Sequence, residues 1–211
     1  MEKYHKYVFD LENRKFVGKF EKMYQNESKE IFDSWHQEDS RQIQRKITLS
    51  ILEGYNFNFI IDIGCGKGAL THCLKKKNNK VIGIDISKTA LSMAKKRYPD
   101  IDFICSNVNN IPELCNLLIN IEKTIGKVDL IFTSEIFSYV KNWKEILKLI
   151  SKHTKYFLLS LFIPGENPMG FVKNERDLVL TCEKYFEIIE RITIYNEKVT
   201  IIFGKIKNEF L

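Results

Sequence analysis

The chain has 211 residues and a formal charge of +6, enough for one domain with a sizeable core and short for two. A hydrophobic share of 44% and a charged share of 28% exclude a disordered or fibrous chain. No apolar run approaches the roughly 20 residues needed to cross a bilayer, and Met1-Glu2-Lys3-Tyr4-His5-Lys6 lacks the apolar core of a secretion signal, so no membrane association and a cytoplasmic protein are expected. Five cysteines without a C-x-x-C spacing favour buried reduced thiols over disulfides or a metal site. The basic clusters Lys75-Lys76-Lys77 and Lys95-Lys96-Arg97 fall at predicted helix ends, where cations complement the helix dipole. No basic run is interleaved with aromatics, so a nucleic-acid partner is not expected.

Residues 1–57 precede the first strand candidate and read as a helical cap on a core formed by 58–211, one domain overall. Phe16, Val17, Phe20, Met23 and Tyr24 share helical spacing and predict an early helix. After the polar break Gln25-Asn26-Glu27-Ser28 come Ile31, Phe32 and Trp35, then a helix from about Ser40 to Glu53. From residue 59 onward, apolar runs alternate with helical periods, the pattern of a parallel sheet with crossover helices. Strands are predicted at 59–64, 80–85, 101–105, 127–134 and 156–163. Helices are predicted between them at 68–77, 88–98, 112–122 and 142–153. Ser87 should cap the second of these helices and Pro99 should stop it. Trp143, Ile146, Leu147 and Ile150 make a stripe that should face the sheet. A helix at about 174–183 leads to Phe186–Ile194 and Val199–Ile206, an antiparallel hairpin joined through Tyr195-Asn196-Glu197-Lys198. A parallel sheet ending in a reversed strand departs from the doubled half of a dinucleotide-binding dehydrogenase.

The chemistry concentrates at Asp62-Ile63-Gly64-Cys65-Gly66-Lys67-Gly68-Ala69. Alternate glycines allow a sharp turn and close approach of backbone N–H groups to a ligand. Ala69 could complete a G-x-G-x-x-G/A dinucleotide fingerprint. Asp62 separates the two readings, because a carboxylate repels a pyrophosphate and attracts an ammonium group. S-adenosylmethionine carries an ammonium and a sulfonium and no phosphate. Asp85 ends the next strand 21 positions after Gly64, where a carboxylate can accept hydrogen bonds from ribose hydroxyls. Cys65 reads as a small side chain fitting a tight turn.

The Asp62–Gly68 run resembles the first motif of the class I S-adenosylmethionine-dependent methyltransferases, and the resemblance extends over about 58–207. It implies a Rossmann-like α/β fold with a mostly parallel seven-stranded sheet, a C-terminal antiparallel hairpin strand and an N-terminal helical cap. It implies cofactor contacts at Asp62, Gly64, Cys65, Gly66, Gly68, Asp85 and Ile86. Phe103-Ile104-Cys105-Ser106-Asn107-Val108 resembles the adenine-binding segment, with Asn107 standing where the family usually has aspartate. An amide oxygen there can still accept from the adenine amine, and a turn-forming asparagine is the competing reading. Thr133-Ser134-Glu135-Ile136-Phe137-Ser138-Tyr139 resembles the fourth motif, with Ser134, Glu135 and Ile136 along the cofactor and Tyr139 towards the acceptor. Asp129, at the start of the same strand, is expected to be structural.

Tyr24, Asp33-Ser34-Trp35 and Ser134–Tyr139 are similar to the nodulation-type N-methyltransferases and relatives acting on carbohydrates or small metabolites. This implies an acceptor site at Tyr24, Trp35 and Tyr139, lidded by the amino-terminal helices and Phe162–Phe171. Orienting an acceptor in line with the methyl group can supply about 7–11 kcal/mol, and a hydroxyl acceptor gains further from a general base. His36 is the candidate base or acceptor-binding residue, with an exposed loop histidine as the competing reading. Glu135 is the alternative base, with its expected position along the cofactor counting against that role. No Asn/Asp-Pro-Pro-Tyr/Phe follows the fourth strand and no Pro-Cys pair exists, which disfavours base-amino and cytosine C5 methylation. The expectation is methyl transfer to O or N of a small polar molecule such as a sugar-linked metabolite, by a monomer or homodimer. An RNA methyltransferase and a non-catalytic cofactor-binding protein of the same fold are the alternatives.

Overall fold

The apolar stripe from Phe16 to Tyr24 does not form one helix in the computed structural model, which describes residues 3–30, 32–165 and 169–208. A short helix α1 (His5–Val8) leads into a hairpin of β1 (Phe9–Asp10) and β2 (Lys15–Phe16). Gly18 then adopts φ +59°, where a Cβ would come within 2.8 Å of the Phe16 ring. A left-handed residue cannot continue a right-handed helix, so α2 begins only at Phe20 and runs to Glu30. Met23 and Tyr24 are buried with Tyr4, Tyr7, Val8 and Ala90 in a small core of their own. Helix α3 (Ile43–Glu53) starts three residues after the expected Ser40. Ile31 and Pro168, which fall in the expected cap and lid, lie outside the described residues.

The core follows the predicted alternation. It comprises β3 (Phe59–Ile63), α4 (Ala69–Leu74), β4 (Lys80–Asp85), α5 (Lys88–Arg97), β5 (Asp102–Cys105), α6 (Ile111–Ile125), β6 (Val128–Ser134), α7 (Trp143–Ile150), β7 (Thr154–Phe162), α8 (Glu175–Glu183), β8 (Phe186–Ile194) and β9 (Val199–Ile206). Helix α4 is shorter than expected. The Asn79 side chain accepts from the Lys76 N–H at 2.7 Å and donates to the Leu74 carbonyl at 2.9 Å, closing the helix end side-on. Helix α6 runs three residues past its expected end, to Gly126 at φ +117°, a conformation that favours glycine. Ser87 caps α5 as expected, accepting from Ala90 N–H at 3.1 Å.

The strands form one sheet in the order β5-β4-β3-β6-β7-β9-β8. β3 to β7 are parallel, and β9 runs antiparallel to both neighbours. The reversed strand therefore sits inside the sheet, between β7 and the edge strand β8. Burial on both faces explains why β3 is buried at all five positions. Trp143, Ile146, Leu147 and Ile150 of α7 join the larger core cluster, and Leu52 and Leu74 close the opposite face. Asp129 accepts from the N–H groups of Asn58 and Phe59 and pairs with Lys155 at 2.8 Å, a structural role at the strand start. Among the described residues no helix is long and apolar enough to cross a membrane.

The cap docks on the core beside β4. Glu21 of α2 accepts from the Ser87 hydroxyl at 2.7 Å and the Thr89 hydroxyl at 2.6 Å. Burial opposes the charge on Glu21, but the Thr89 and Ser87 hydroxyls outweigh it and lower its pKa.

Candidate active site

The carboxyl ends of β3 to β7 and the amino-terminal cap enclose a cavity of about 580 Å³. Ligand sites of open α/β sheets form at this end because successive crossovers splay apart there. The glycine turn makes one wall. Gly64, Gly66 and Gly68 take φ +83°, +53° and +79°, which glycine adopts without steric cost. A Cβ on Gly64 would lie 1.9 Å from Ile136 Cγ2, so the turn is packed directly against the loop after β6.

Every N–H of this turn already has a protein acceptor. Gly64 and Cys65 donate to the Ile84 carbonyl, and Gly68 donates to the Cys65 carbonyl. Gly66 donates to Asp85 Oδ2 at 2.9 Å and Lys67 to Gln37 Oε1 at 2.8 Å. A phosphate nest needs free N–H groups, and none remains from 64 to 68. The dinucleotide reading fails on this ledger as well as on charge.

Asp62 and Asp85 stand at the floor of the cavity, both buried. Among the described residues the Asp62 side chain accepts one hydrogen bond, from the Thr71 hydroxyl at 2.6 Å, and burial pushes its pKa up to about 7. Asp85 is also raised by burial, against the opposing N–H groups of Ser87 and Gly66. Asn107 lines the cavity, but its Oδ1 accepts from the Asn109 N–H at 3.0 Å and shapes its own turn. Ile86, Val108, Ser134, Glu135 and Ile136 also line the cavity. Gly66 and Gly68 do not reach it. Gly66 lies against Gln37 and Tyr24 of the cap, and Gly68 against Phe103 and Ala94. Cys65 is buried with its sulfur 2.9 Å from where a Gly83 Cβ would stand, which explains a small side chain there.

At the end of β6 the backbone turns through Glu135, a non-glycine residue at φ +63°. Such a conformation costs of order 1–3 kcal/mol and persists only where the surroundings impose it. Here the Glu135 N–H donates to the Ser160 carbonyl and its Oε2 accepts from the Phe162 N–H, both at 2.8 Å. Burial by the cavity walls pushes the Glu135 carboxyl up to about 7. Tyr139 follows, its phenol raised first by burial and then by Glu135, and its oxygen accepts from Trp35 Nε1 at 3.0 Å.

The cap residues meet the site through contacts that spacing did not reveal. Lys67 projects from the glycine turn into the cap, where its ammonium donates to Glu27 and to Asp33 Oδ1 at 2.7 Å. Burial works against the Lys67 charge, but Asp33 and Glu27 more than offset it and raise its pKa. Gln37 bridges the Tyr24 hydroxyl and the Lys67 N–H. Residues 33–39 form a strap over the glycine turn, and Arg45 holds it in place by donating to the carbonyls of Trp35, Gln37 and Asp39. Trp35 and His36 adopt φ +54° and +49° within this strap. Tyr24, Trp35 and Tyr139 line the cavity together, and His36 lies exposed at its margin with His5. Lys67, Glu27, Gln37 and Arg45 were missed in the sequence. A single charged residue inside a glycine turn was the one signal available.

A glycine turn after the first core strand, a carboxylate ending the second and a reversed strand inside the sheet define the class I S-adenosylmethionine-dependent methyltransferase fold. Residues 58–194 match the model of the methyltransferase domain family, and the chain belongs to that family. A putative methyltransferase 235L of Invertebrate iridescent virus 6 is 34% identical over 74 residues, 34% of this chain and 28% of that protein. The ribosomal RNA small subunit methyltransferase A of Mycoplasmopsis pulmonis is 25% identical over 155 residues, 71% of this chain and 56% of its own length. The chain thus spans about a quarter to a half of these two relatives. Among solved structures, N-methyltransferase NodS from Bradyrhizobium japonicum WM9 in complex with S-adenosyl-L-homocysteine superposes with a TM-score of 0.66 at 15% identity, covering 88% of this chain and 98% of that one.

Proposed function

We propose that this chain binds S-adenosylmethionine and transfers its methyl group to an O or N atom of a small-molecule acceptor. The observation that carries this reading is the pairing of two buried carboxylates, Asp62 and Asp85, with a glycine turn whose N–H groups are all used. Such a floor repels phosphate and suits a cationic, phosphate-free ligand. Asp62, with one neutral donor for a partner, is suited to an ammonium, and Asp85 to ribose hydroxyls. Ile86 and Val108 offer apolar faces for the adenine, and Asn107 stands beside them. When bound, the cofactor supplies an electrophilic methyl on a sulfonium. The chain's part is to hold the acceptor on axis and exclude water, worth about 7–11 kcal/mol when orientation is good. Trp35 and Tyr139 present rings on which an acceptor such as a sugar-linked metabolite can stack.

Titration calorimetry tests the reading. S-adenosylhomocysteine should bind, Asp85→Ala should weaken it by at least about tenfold, and NADH should not bind. The pH dependence has a defined sign. Asp62 is half-protonated near pH 7 when free, and an ammonium beside it lowers its pKa. Binding at pH 7 should therefore release a fraction of a proton, and affinity should fall as pH drops below 7. Tight NADH binding without S-adenosylhomocysteine binding overturns the proposal.

The RNA relative and the +6 charge favour a second reading. An RNA acceptor would show binding that falls steeply with salt. The carboxylates in the cavity oppose a phosphodiester there.

A further inference from the structure

We propose that the acceptor is an amine that enters as an ammonium ion, held between the Glu135 carboxylate and the aromatic wall of the cap. This inference rests on the methyl-transfer reading and names the acceptor class for the same site.

Glu135 presents one fixed and one open carboxylate oxygen. Oε2 accepts from the Phe162 N–H, Oε1 has no hydrogen-bond partner among the described residues, and Glu135 lines the cavity. Beside it stands Tyr139, whose oxygen is used by Trp35, and Trp35 packs on Tyr4 at 5.2 Å and Phe20 at 5.9 Å between ring centroids. A carboxylate next to converging aromatic faces is the chemistry that recognises an ammonium, through its charge and through cation–π attraction.

The charge inventory of the cavity agrees. Asp62, Asp85, Glu135 and Glu197 line it, against the guanidinium of Arg45 and the titratable rings of His5 and His36. Arg45 approaches Glu135 and lowers its pKa slightly against the larger effect of burial, but the Arg45 donors point at the carbonyls of Trp35, Gln37 and Asp39. With Asp62 and Asp85 assigned to the methyl donor, Glu135 and Glu197 are the charges left, and Glu135 is the one beside Tyr139, which Trp35 holds. A carboxylate or phosphate acceptor would be repelled by it, and a hydroxyl would gain no charge attraction.

The step balances within this set. The ammonium gives one proton to Glu135 Oε1 and becomes a neutral amine with a free lone pair. That lone pair forms the new N–C bond as the C–S bond of the sulfonium donor breaks, its electron pair remaining on sulfur as a thioether. The product leaves as a methylated ammonium, and Glu135 returns its proton to water. In this scheme Glu135 is a catalytic residue, and Tyr139 and Trp35 position the amine.

The test is acceptor binding to the protein saturated with S-adenosylhomocysteine, using triplets that differ only in the reacting group. Phenethylamine, 2-phenylethanol and 3-phenylpropionate form one triplet, and 6-amino-6-deoxyglucose, glucose and glucuronate, which vary at C6, form another. In at least one triplet the amine should bind at least about tenfold more tightly than the alcohol, with the acid weakest. Glu135→Gln should reduce the amine-to-alcohol ratio to within about threefold, and Glu135→Asp should recover part of it. Failure of every amine to exceed its alcohol overturns the inference, as does an amine preference that survives Glu135→Gln. Both outcomes leave S-adenosylhomocysteine binding intact, so they are distinct from failure of the methyl-transfer reading, in which that ligand does not bind.

Discussion

Lys67→Met is expected to cost about 3–5 kcal/mol of stability, the range for breaking a buried ion pair from one side. The methionine side chain keeps most of the apolar stem and removes the ammonium. Glu27, 6% exposed, is then left with the Ser34 hydroxyl as its remaining hydrogen-bond partner, at 2.6 Å. Asp33, with a side chain 30% exposed, can rehydrate and contributes less. The loss falls on the strap that carries Trp35 and Gln37, so the cap should loosen before the sheet does. Urea unfolding should show the loss, and hydrogen exchange should show faster amides at 33–39 with β3 and β4 still protected. Adding Glu27→Gln should restore part of the stability, because no buried charge remains unpaired. A single variant within about 0.5 kcal/mol of the parent would show that the pair contributes little.

Gly64→Ala should be comparably damaging and should also close the cavity wall. Its Cβ would sit 1.9 Å from Ile136 Cγ2, at a backbone φ of +83°. Two costs are separable. Overpacking costs about 1–3 kcal/mol, and the left-handed backbone adds about 1–2 kcal/mol for a residue with a Cβ. Ile136→Ala in the same chain removes the steric part and leaves the backbone part. The double variant should therefore be more stable than the sum of the two single losses by about 1–3 kcal/mol, measured by urea unfolding. Strict additivity would mean that Ile136 moves aside without cost and that the close approach is not a constraint.

Much of the core was legible because its signals are local. The β-branched run at Phe59–Ile63, the N-cap Ser87 and the α7 stripe each encode their element within a few residues. Asp62 and Asp85 could be placed for the same reason, since strand ends and spacing carry them to one edge. Boundaries failed where a side chain from the next turn intervened, as Asn79 does at α4. The amino-terminal stripe misled because helical spacing persists across Gly18, whereas the backbone there is left-handed.

The glycine turn shows the division most clearly. Sequence by itself determined that three glycines, Asp62 and Asp85 meet at the end of a parallel sheet, because those features follow from alternation and charge. It also favoured a cationic ligand over a phosphate. Only the tertiary structure decided how the turn is used. Its N–H groups are satisfied by Ile84, Asp85, Cys65 and Gln37, and Lys67 reaches 40 residues back to Glu27. The hydrogen bond between Trp35 and Tyr139 spans 104 positions. Such pairings depend on which side chains face each other after the cap docks, and no periodicity in the chain encodes that.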